Sequence, residues 1–239
     1  MKSFGRIGKK LEEAGHCVYA SDTDGFGTIE HNAEQLKAQI ERILEKEHAE
    51  KVNILAHSKG GLDSKYMISR LGMEDRVASL TTLSTPHRGS KLATWIFHMP
   101  RWISKFIAFW VNLWYRIFGD RKPDALTVCK QLQATPNDDI DGLTVPDSIF
   151  CQSFSGTMNR SRDDFLMSIP FLFTRRLEKA PSDGLVAVES TKFGNYRGDC
   201  IEGPLSHTEM VGYALRKKKR ERVYAFYLDL AEQLAQMGL

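Results

Sequence analysis

Residues 51–66 have the sequence KVNILAHSKGGLDSKY, and this stretch decides the fold. It begins with a β-branched and aliphatic run at positions 52–55, which is typical of a buried parallel strand. The short AHSKG segment follows, and apolar residues then return at helical spacing, at Leu62, Tyr66 and Met67. The sequence therefore predicts a strand, a sharp turn and a helix, with Ser58 at the apex of the turn.

A serine on such a turn has the pattern of a nucleophile elbow, G-x-S-x-G, in which the first glycine is here Ala56. The turn strains the serine backbone, and the helix packs close to its strand. This close packing explains the small residues Ala56, Gly60 and Gly61, because larger side chains would not fit between the helix and its strand. The alternative is a serine in an ordinary strand-to-helix loop, which the flanking strand and helix patterns disfavour. The stretch predicts Ser58 as a nucleophile.

Composition indicates a single globular domain over residues 1–239, with 42% hydrophobic and 26% charged residues. A net charge of +3 does not indicate a nucleic-acid partner. The four cysteines are far apart and lack zinc-site spacing, so we expect free thiols. The N-terminal residues carry Lys and Glu where a signal peptide would be apolar, which predicts a cytoplasmic location for the chain as given.

Helical and strand patterns alternate along the chain, which predicts an α/β fold with a parallel, doubly wound sheet. Helical spacing extends over residues 4–14, over a segment capped by Thr28, and over the C-terminus from Val223 to Leu234. Strand patterns occupy residues 16–20, 77–84 and 148–155, in addition to the strand before Ser58.

The motifs AHSKGGLDSKY, VASLTTLSTPHRGS, SDGLV and SHTEM occur in an order that resembles bacterial triacylglycerol lipases of the α/β-hydrolase superfamily. The resemblance runs from about Phe4 to the C-terminus and is weakest between Ala93 and Pro146. It implies an α/β-hydrolase fold with a helical lid insertion at about residues 91–146. It also implies a serine esterase or lipase acting on fatty-acyl, triacylglycerol-like esters through an acyl-enzyme.

The predicted insertion has an unusual composition, because residues 91–120 contain all four tryptophans. A transmembrane helix is not expected, since Lys105 and Arg116 interrupt the most apolar part. Two interpretations remain for these residues. They form either a buried helix pair or an amphipathic lid that contacts a lipid interface when open, and the position of the segment favours the lid.

A serine nucleophile needs a base and an acid, and in this fold the chain order is Ser, Asp or Glu, then His. His207 is the only histidine after His98, which makes it the expected base. Asp183 precedes an apolar run and matches the catalytic Asp of the family, with Asp199 as its competitor. The backbone N–H of Lys59 is the expected oxyanion donor. His87, in the TPHRGS turn, is expected to be structural.

Some lipases of this type hold a structural calcium beside the histidine loop, and the resemblance implies Glu209 as one ligand, with Asp163 or Asp164 as another. The alternative is that these acidic residues are simply solvated. The chemistry itself requires no cofactor. The basic run at residues 216–222 is expected to be a solvated helix start, with attraction to anionic lipid as the alternative.

In the α/β-hydrolase family, a strand ending in a His-Gly loop precedes the first helix and supplies half of the oxyanion hole; this chain carries no such segment before that helix. The expectation is a short form of a lipase with an open sheet edge, low solubility or weak activity, and rescue by an upstream strand. The alternative to an active esterase is a hydrolase-fold protein that binds lipid or a partner without turnover.

Overall fold

A four-stranded parallel sheet organises the molecule, and its strands lie side by side in chain order. The strands are β1 Val52–His57, β2 Val77–Leu83, β3 Phe150–Ser155 and β4 Asn195–Asp199. The computed structural model describes residues 4–117, 120–134 and 142–239. The predicted α/β-hydrolase class with a mostly parallel sheet is confirmed.

Helices follow the strands in the alternation that the sequence predicts. They are α1 Ile7–Glu13, α2 Ile29–Glu47, α3 Lys59–Arg70, α4 Lys91–Phe97, α5 Arg101–Ile117, α6 Ala125–Gln131, α7 Ser168–Glu178, α8 Val188–Thr191 and α9 Lys217–Gln236. Thr28 caps α2 as predicted, because its side chain accepts a hydrogen bond from the backbone N–H of His31.

The sheet separates two apolar cores. On one face α1 and α9 pack over Leu83 and Phe154. On the other face α2 and α3 pack over Ile54 and Leu80. Both faces of the central strands are therefore buried, as is usual for a parallel sheet, although β2 and β3 themselves carry several Ser, Thr and Gln residues.

The predicted strand at residues 16–20 is wrong, because these residues form no strand in the structure. A strand needs a partner along its backbone, and β1 pairs only with β2 among the described strands. Among the described residues, the other edge of β1 therefore pairs with no strand, in agreement with the expected open sheet edge.

The sequence patterns predict neither β4 nor α7. The strand β4 has the sequence NYRGD, whose glycine and charges hide a strand pattern. Helix α7 buries only Phe171 and Thr174 and exposes most of its apolar side chains, so its pattern does not show a buried stripe.

The described part of the predicted lid consists of α4, α5 and α6, while residues 118–119 and 135–141 lie outside the described residues. Helix α5 turns small residues inward and aromatic residues outward. Ser104 and Ala108 are buried, whereas Trp102 is 74% exposed and Phe106 is 63% exposed. The aromatic face of α5 is therefore not core, which argues against the buried helix pair. Among the described residues, no helix has the length and apolar character needed to cross a membrane.

Candidate active site

Ser58 occupies the sharp turn between β1 and α3, as the sequence predicts. Its backbone has φ 55° and ψ −132°, a conformation that L-residues rarely adopt and that costs about 1–3 kcal/mol. The turn is held on both sides. The N–H of Ser58 donates to the carbonyl of Leu83 at 2.9 Å, and the Thr85 hydroxyl donates to the Ser58 carbonyl at 2.8 Å. The end of β2 therefore holds the strained serine in place.

The two glycines after Lys59 have different roles. A Cβ on Gly61 would collide with the Thr85 side chain, coming within 2.7 Å of its Cγ2. A Cβ on Gly60 would meet no atom within 4 Å. The expectation of close packing is therefore right for Gly61 and wrong for Gly60, because the helix approaches its neighbour on only one side.

Asp183 and His207 form a buried pair. The Nδ1 of His207 lies 2.6 Å from Oδ2 of Asp183, and the backbone N–H of His207 donates to the Asp183 carbonyl at 2.9 Å. The second carboxylate oxygen, Oδ1, accepts the N–H groups of Leu185 and Val186 at 2.9 and 2.8 Å. These contacts fix the orientation of both side chains.

The charge of Asp183 is stabilised by its partners. Burial acts to raise the pKa of the Asp183 carboxyl, but the adjacent His207 and the hydrogen bonds that Asp183 accepts outweigh burial and lower the pKa below its usual range. A carboxylate can only accept, so Nδ1 of His207 carries a proton, and the lone pair of the neutral ring lies on Nε2. The pair is arranged to present a basic nitrogen.

His57 connects this pair to the elbow, since it immediately precedes Ser58. Its ring centroid lies 4.3 Å from that of His207, with the planes tilted by 48°. Burial, together with the neighbouring His207, lowers the pKa of His57 well below its ordinary value. His57 is therefore a neutral ring that packs against His207. Sequence reasoning missed this role, although a histidine directly before the elbow serine was the available clue.

Lys59 is the first residue of α3, so its backbone N–H has no acceptor within the helix. The Lys59 ammonium donates to both carboxylate oxygens of Asp63, at 2.7 and 2.9 Å, one helical turn further on. Asn32 of α2 also donates to Asp63, at 3.0 Å. This buried network was not predicted, though Lys and Asp four residues apart on a helix do indicate a pair. It ties the start of α3 to α2.

The two other candidates considered in the sequence lie in different surroundings. Asp199 is exposed in β4, where its carboxylate accepts a hydrogen bond from Ser155. His87 is fully buried, with Nε2 lying 3.1 Å from the Thr82 hydroxyl and its ring stacked on Phe193. The structure brings Asp183, and not Asp199, into contact with His207.

The acidic residues of the expected calcium site do not form a metal-binding group. Both oxygens of Glu209 accept hydrogen bonds from the Lys219 ammonium, at 2.8 and 2.7 Å. Asp164 accepts from the hydroxyls of Ser206 and Thr208, and Asp163 accepts the backbone N–H groups of residues 159 and 160. Within residues 4–117, 120–134 and 142–239, no set of three His, Cys, Asp or Glu could hold an ion. Because an ammonium already covers Glu209, these residues do not fit calcium.

Comparison with known proteins identifies the family of the chain. The profile of the family described as "alpha/beta hydrolase fold" matches residues 1–138. The chain is 27% identical over 253 residues to Triacylglycerol lipase 2 of Saccharomyces cerevisiae, an alignment that covers 97% of this chain and 73% of the yeast protein. It is 38% identical over 93 residues to a triacylglycerol lipase of Pseudarthrobacter phenanthrenivorans, covering 38% of this chain and 28% of that protein.

Solved structures show the same fold. Staphylococcus hyicus lipase superposes with a TM-score of 0.71 at 13% identity, covering 97% of this chain and 88% of that chain. Lipase 1 from Pelosinus fermentans gives 0.64 at 15% identity, covering 96% and 91%. The chain therefore belongs to the α/β-hydrolase fold family. Within that family the matches group it with lipases and esterases, which are carboxylic ester hydrolases.

Proposed function

We propose that this protein is a serine carboxylic ester hydrolase in which Ser58, His207 and Asp183 form the catalytic triad. The observation that supports this most directly is the buried Asp183–His207 pair, whose Nδ1–Oδ2 distance is 2.6 Å. The His207 ring packs against His57, the residue that precedes the strained serine. Nucleophile, acid and base also follow one another in the chain order expected of this fold.

In the proposed reaction, Ser58 Oγ attacks the ester carbonyl while Nε2 of His207 accepts its proton. The charged His207 ring is stabilised by Asp183. The oxyanion lies at the start of α3, where the Lys59 N–H and the positive end of the helix dipole stabilise negative charge. His207 then protonates the departing alcohol, and water activated by His207 hydrolyses the acyl-enzyme.

For the substrate we propose fatty-acyl esters of the triacylglycerol type, with the region about 91–146 acting as a lid. The relatives named above are triacylglycerol lipases. The outward face of α5 offers four exposed aromatic side chains, Trp102, Phe106, Phe109 and Trp110. Such a face is costly in water and favourable against lipid, so it suits transient contact with a lipid interface.

The test is covalent labelling with a fluorophosphonate, together with hydrolysis of a p-nitrophenyl ester. We expect the chain to label stoichiometrically and Ser58→Ala to lose both labelling and hydrolysis. Ser69→Ala is the matched control, because it lies on the same helix and bonds the Thr144 carbonyl away from the elbow. Hydrolysis that persists undiminished in Ser58→Ala contradicts the assignment.

A second candidate is a hydrolase-fold protein that binds lipid or a partner without turnover. The observation that favours it is the exposed aromatic face of α5, which can contact lipid without any chemical step. Sedimentation with phosphatidylcholine vesicles separates the two candidates. Vesicle binding without fluorophosphonate labelling would favour the second candidate.

A further inference from the structure

The loop that carries His207 is held by a largely buried ion pair. The Lys219 ammonium binds both oxygens of Glu209, at 2.8 and 2.7 Å, and the two side chains are only 17% and 7% exposed. Glu209 lies two residues after His207, and Lys219 lies on α9. The pair therefore links the histidine loop to the long C-terminal helix.

Glu209 also acts within the loop itself. Its Oε2 accepts the backbone N–H of Ser206 at 3.1 Å, and Ser206 directly precedes His207. The hydroxyls of Ser206 and Thr208, on either side of His207, both donate to Oδ2 of Asp164. The carboxylates of Glu209 and Asp164 thus hold the two neighbours of His207. The Lys219 ammonium neutralises the charge of Glu209.

The position of Lys219 is not explained by helix preference. It is the third residue of α9, where the helix dipole disfavours a positive charge by about 0.3–1 kcal/mol. The basic run of residues 216–222 was expected to be solvated, yet Arg220 and Arg222 also donate to backbone carbonyls, those of Ala214 and Glu202. Part of the run is therefore directed into the protein, and the pairing with Glu209 compensates the unfavourable position of Lys219.

We propose that Lys219 is a positioning residue, a built-in cation that fixes the His207 loop and makes its geometry independent of a divalent metal. The inference deepens the proposed function, in which His207 is the base. Where the resemblance implies a calcium ion beside the histidine loop, this chain places an ammonium on the same carboxylate. A base displaced by about 1 Å can lower the rate on the order of 100-fold, so a positioning contact two residues away has a kinetic effect.

The test compares Lys219→Met with Lys218→Met, which removes the same charge from an exposed neighbour on the same turn. We expect Lys219→Met to lower kcat on a dissolved ester about 10- to 100-fold with KM changed less than about 3-fold, whereas Lys218→Met stays within about 2-fold. Lys219→Arg, which keeps the charge, should recover most of the kcat. The double variant Lys219→Met/Glu209→Gln should lose no more than the worse single variant, since both act through one contact.

A readout independent of activity is amide hydrogen exchange of residues 205–211, measured by mass spectrometry. Exchange should accelerate in Lys219→Met and remain at the wild-type rate in Lys218→Met. An inactive wild-type chain that shows this difference would refute the proposed function but keep the positioning role. Unchanged exchange and kcat in Lys219→Met would overturn the inference. So would a wild-type protein that loses activity in EDTA and regains it with calcium.

Discussion

The catalytic end of the sheet and the helix α5 are built in opposite ways. At the sheet end, Asp183 is fully buried, and its carboxylate is held by His207 and by two backbone N–H groups. On α5, the small residues face inward and the large aromatic residues face solvent, with Trp102 at 74% exposure. One region places polar groups in buried, directed contacts, whereas the other leaves large aromatic side chains exposed, where Trp110 contacts Phe106 and Phe109 edge-on.

The buried region suits the chemical step, whereas the exposed region suits contact with the substrate. Proton transfer requires fixed distances, which burial and hydrogen bonds provide. Contact with a lipid interface requires apolar surface area, which an exposed aromatic face provides. It does not require fixed distances between atoms. Substitutions in the two regions should therefore affect different quantities, and the following predictions use that difference, beginning with the largest effect.

Replacing the buried acid should cause the largest loss. Asp183→Asn should lower kcat about 10⁴-fold, because an amide can no longer stabilise the charged His207 ring or fix its tautomer. The measurement is steady-state hydrolysis of a dissolved p-nitrophenyl ester. Asp199→Asn, which changes the exposed competitor in β4, should stay within a few-fold of wild type. A larger loss in Asp199→Asn than in Asp183→Asn would reverse the assignment of the acid.

The elbow offers a matched pair of glycines. Gly61→Ala should destabilise the protein by about 1–3 kcal/mol, because its Cβ would collide with Thr85. Gly60→Ala lies in the same helical turn with open space around it and should stabilise the helix by up to about 1 kcal/mol. Urea unfolding of both variants measures the difference. Equal free energies of unfolding would show that α3 does not pack tightly against Thr85.

The aromatic face should respond differently, since its side chains are exposed. The double variant Trp102→Gln/Phe106→Gln should lower activity on an emulsified ester about 10-fold, which corresponds to about 1.4 kcal/mol of lost interfacial contact. Activity on a dissolved ester and the thermal midpoint should remain near wild type. Deleting residues 102–114 should abolish the preference for emulsified ester altogether. An equal loss on both substrates would mean that α5 supports the site and not the interface.

The smallest effect concerns acid stability. Burial and the nearby cations Lys65 and Arg88 lower the pKa of His87 well below 6.5. The unfolded chain therefore binds a proton below about pH 6.5 that the folded protein does not bind, and stability falls as pH falls. His87→Gln should reduce the drop in Tm between pH 7.5 and pH 5.5 by about 2–4 °C, which corresponds to a pH-dependent contribution of about 1 kcal/mol from His87 to the free energy of unfolding. Thermal melts at the two pH values measure this, and an unchanged drop would indicate that His87 is protonated in the fold.

The sequence alone was sufficient for the elements whose patterns are local. The strand, turn and helix around Ser58 follow from residues 52–67, and the order of Ser, Asp and His selects His207. Strand β4 and helix α7 were missed because neither carries a simple periodic pattern. The composition of residues 16–20 predicts a strand, but a strand forms only where a partner lies alongside.

Contacts between distant segments were decided by the tertiary structure. The sequence favours Asp183 over its competitor Asp199 as the acid, and the fold places Asp183 in contact with His207. The partner of Glu209 is Lys219 of α9, and composition shows only that the start of this helix is basic. Which way α5 directs its aromatic side chains depends on how the helix packs. Local propensity and periodicity are properties of neighbouring residues, so sequence determines them directly. Which groups meet across the chain depends on how the packed elements are placed, and only the fold decides it.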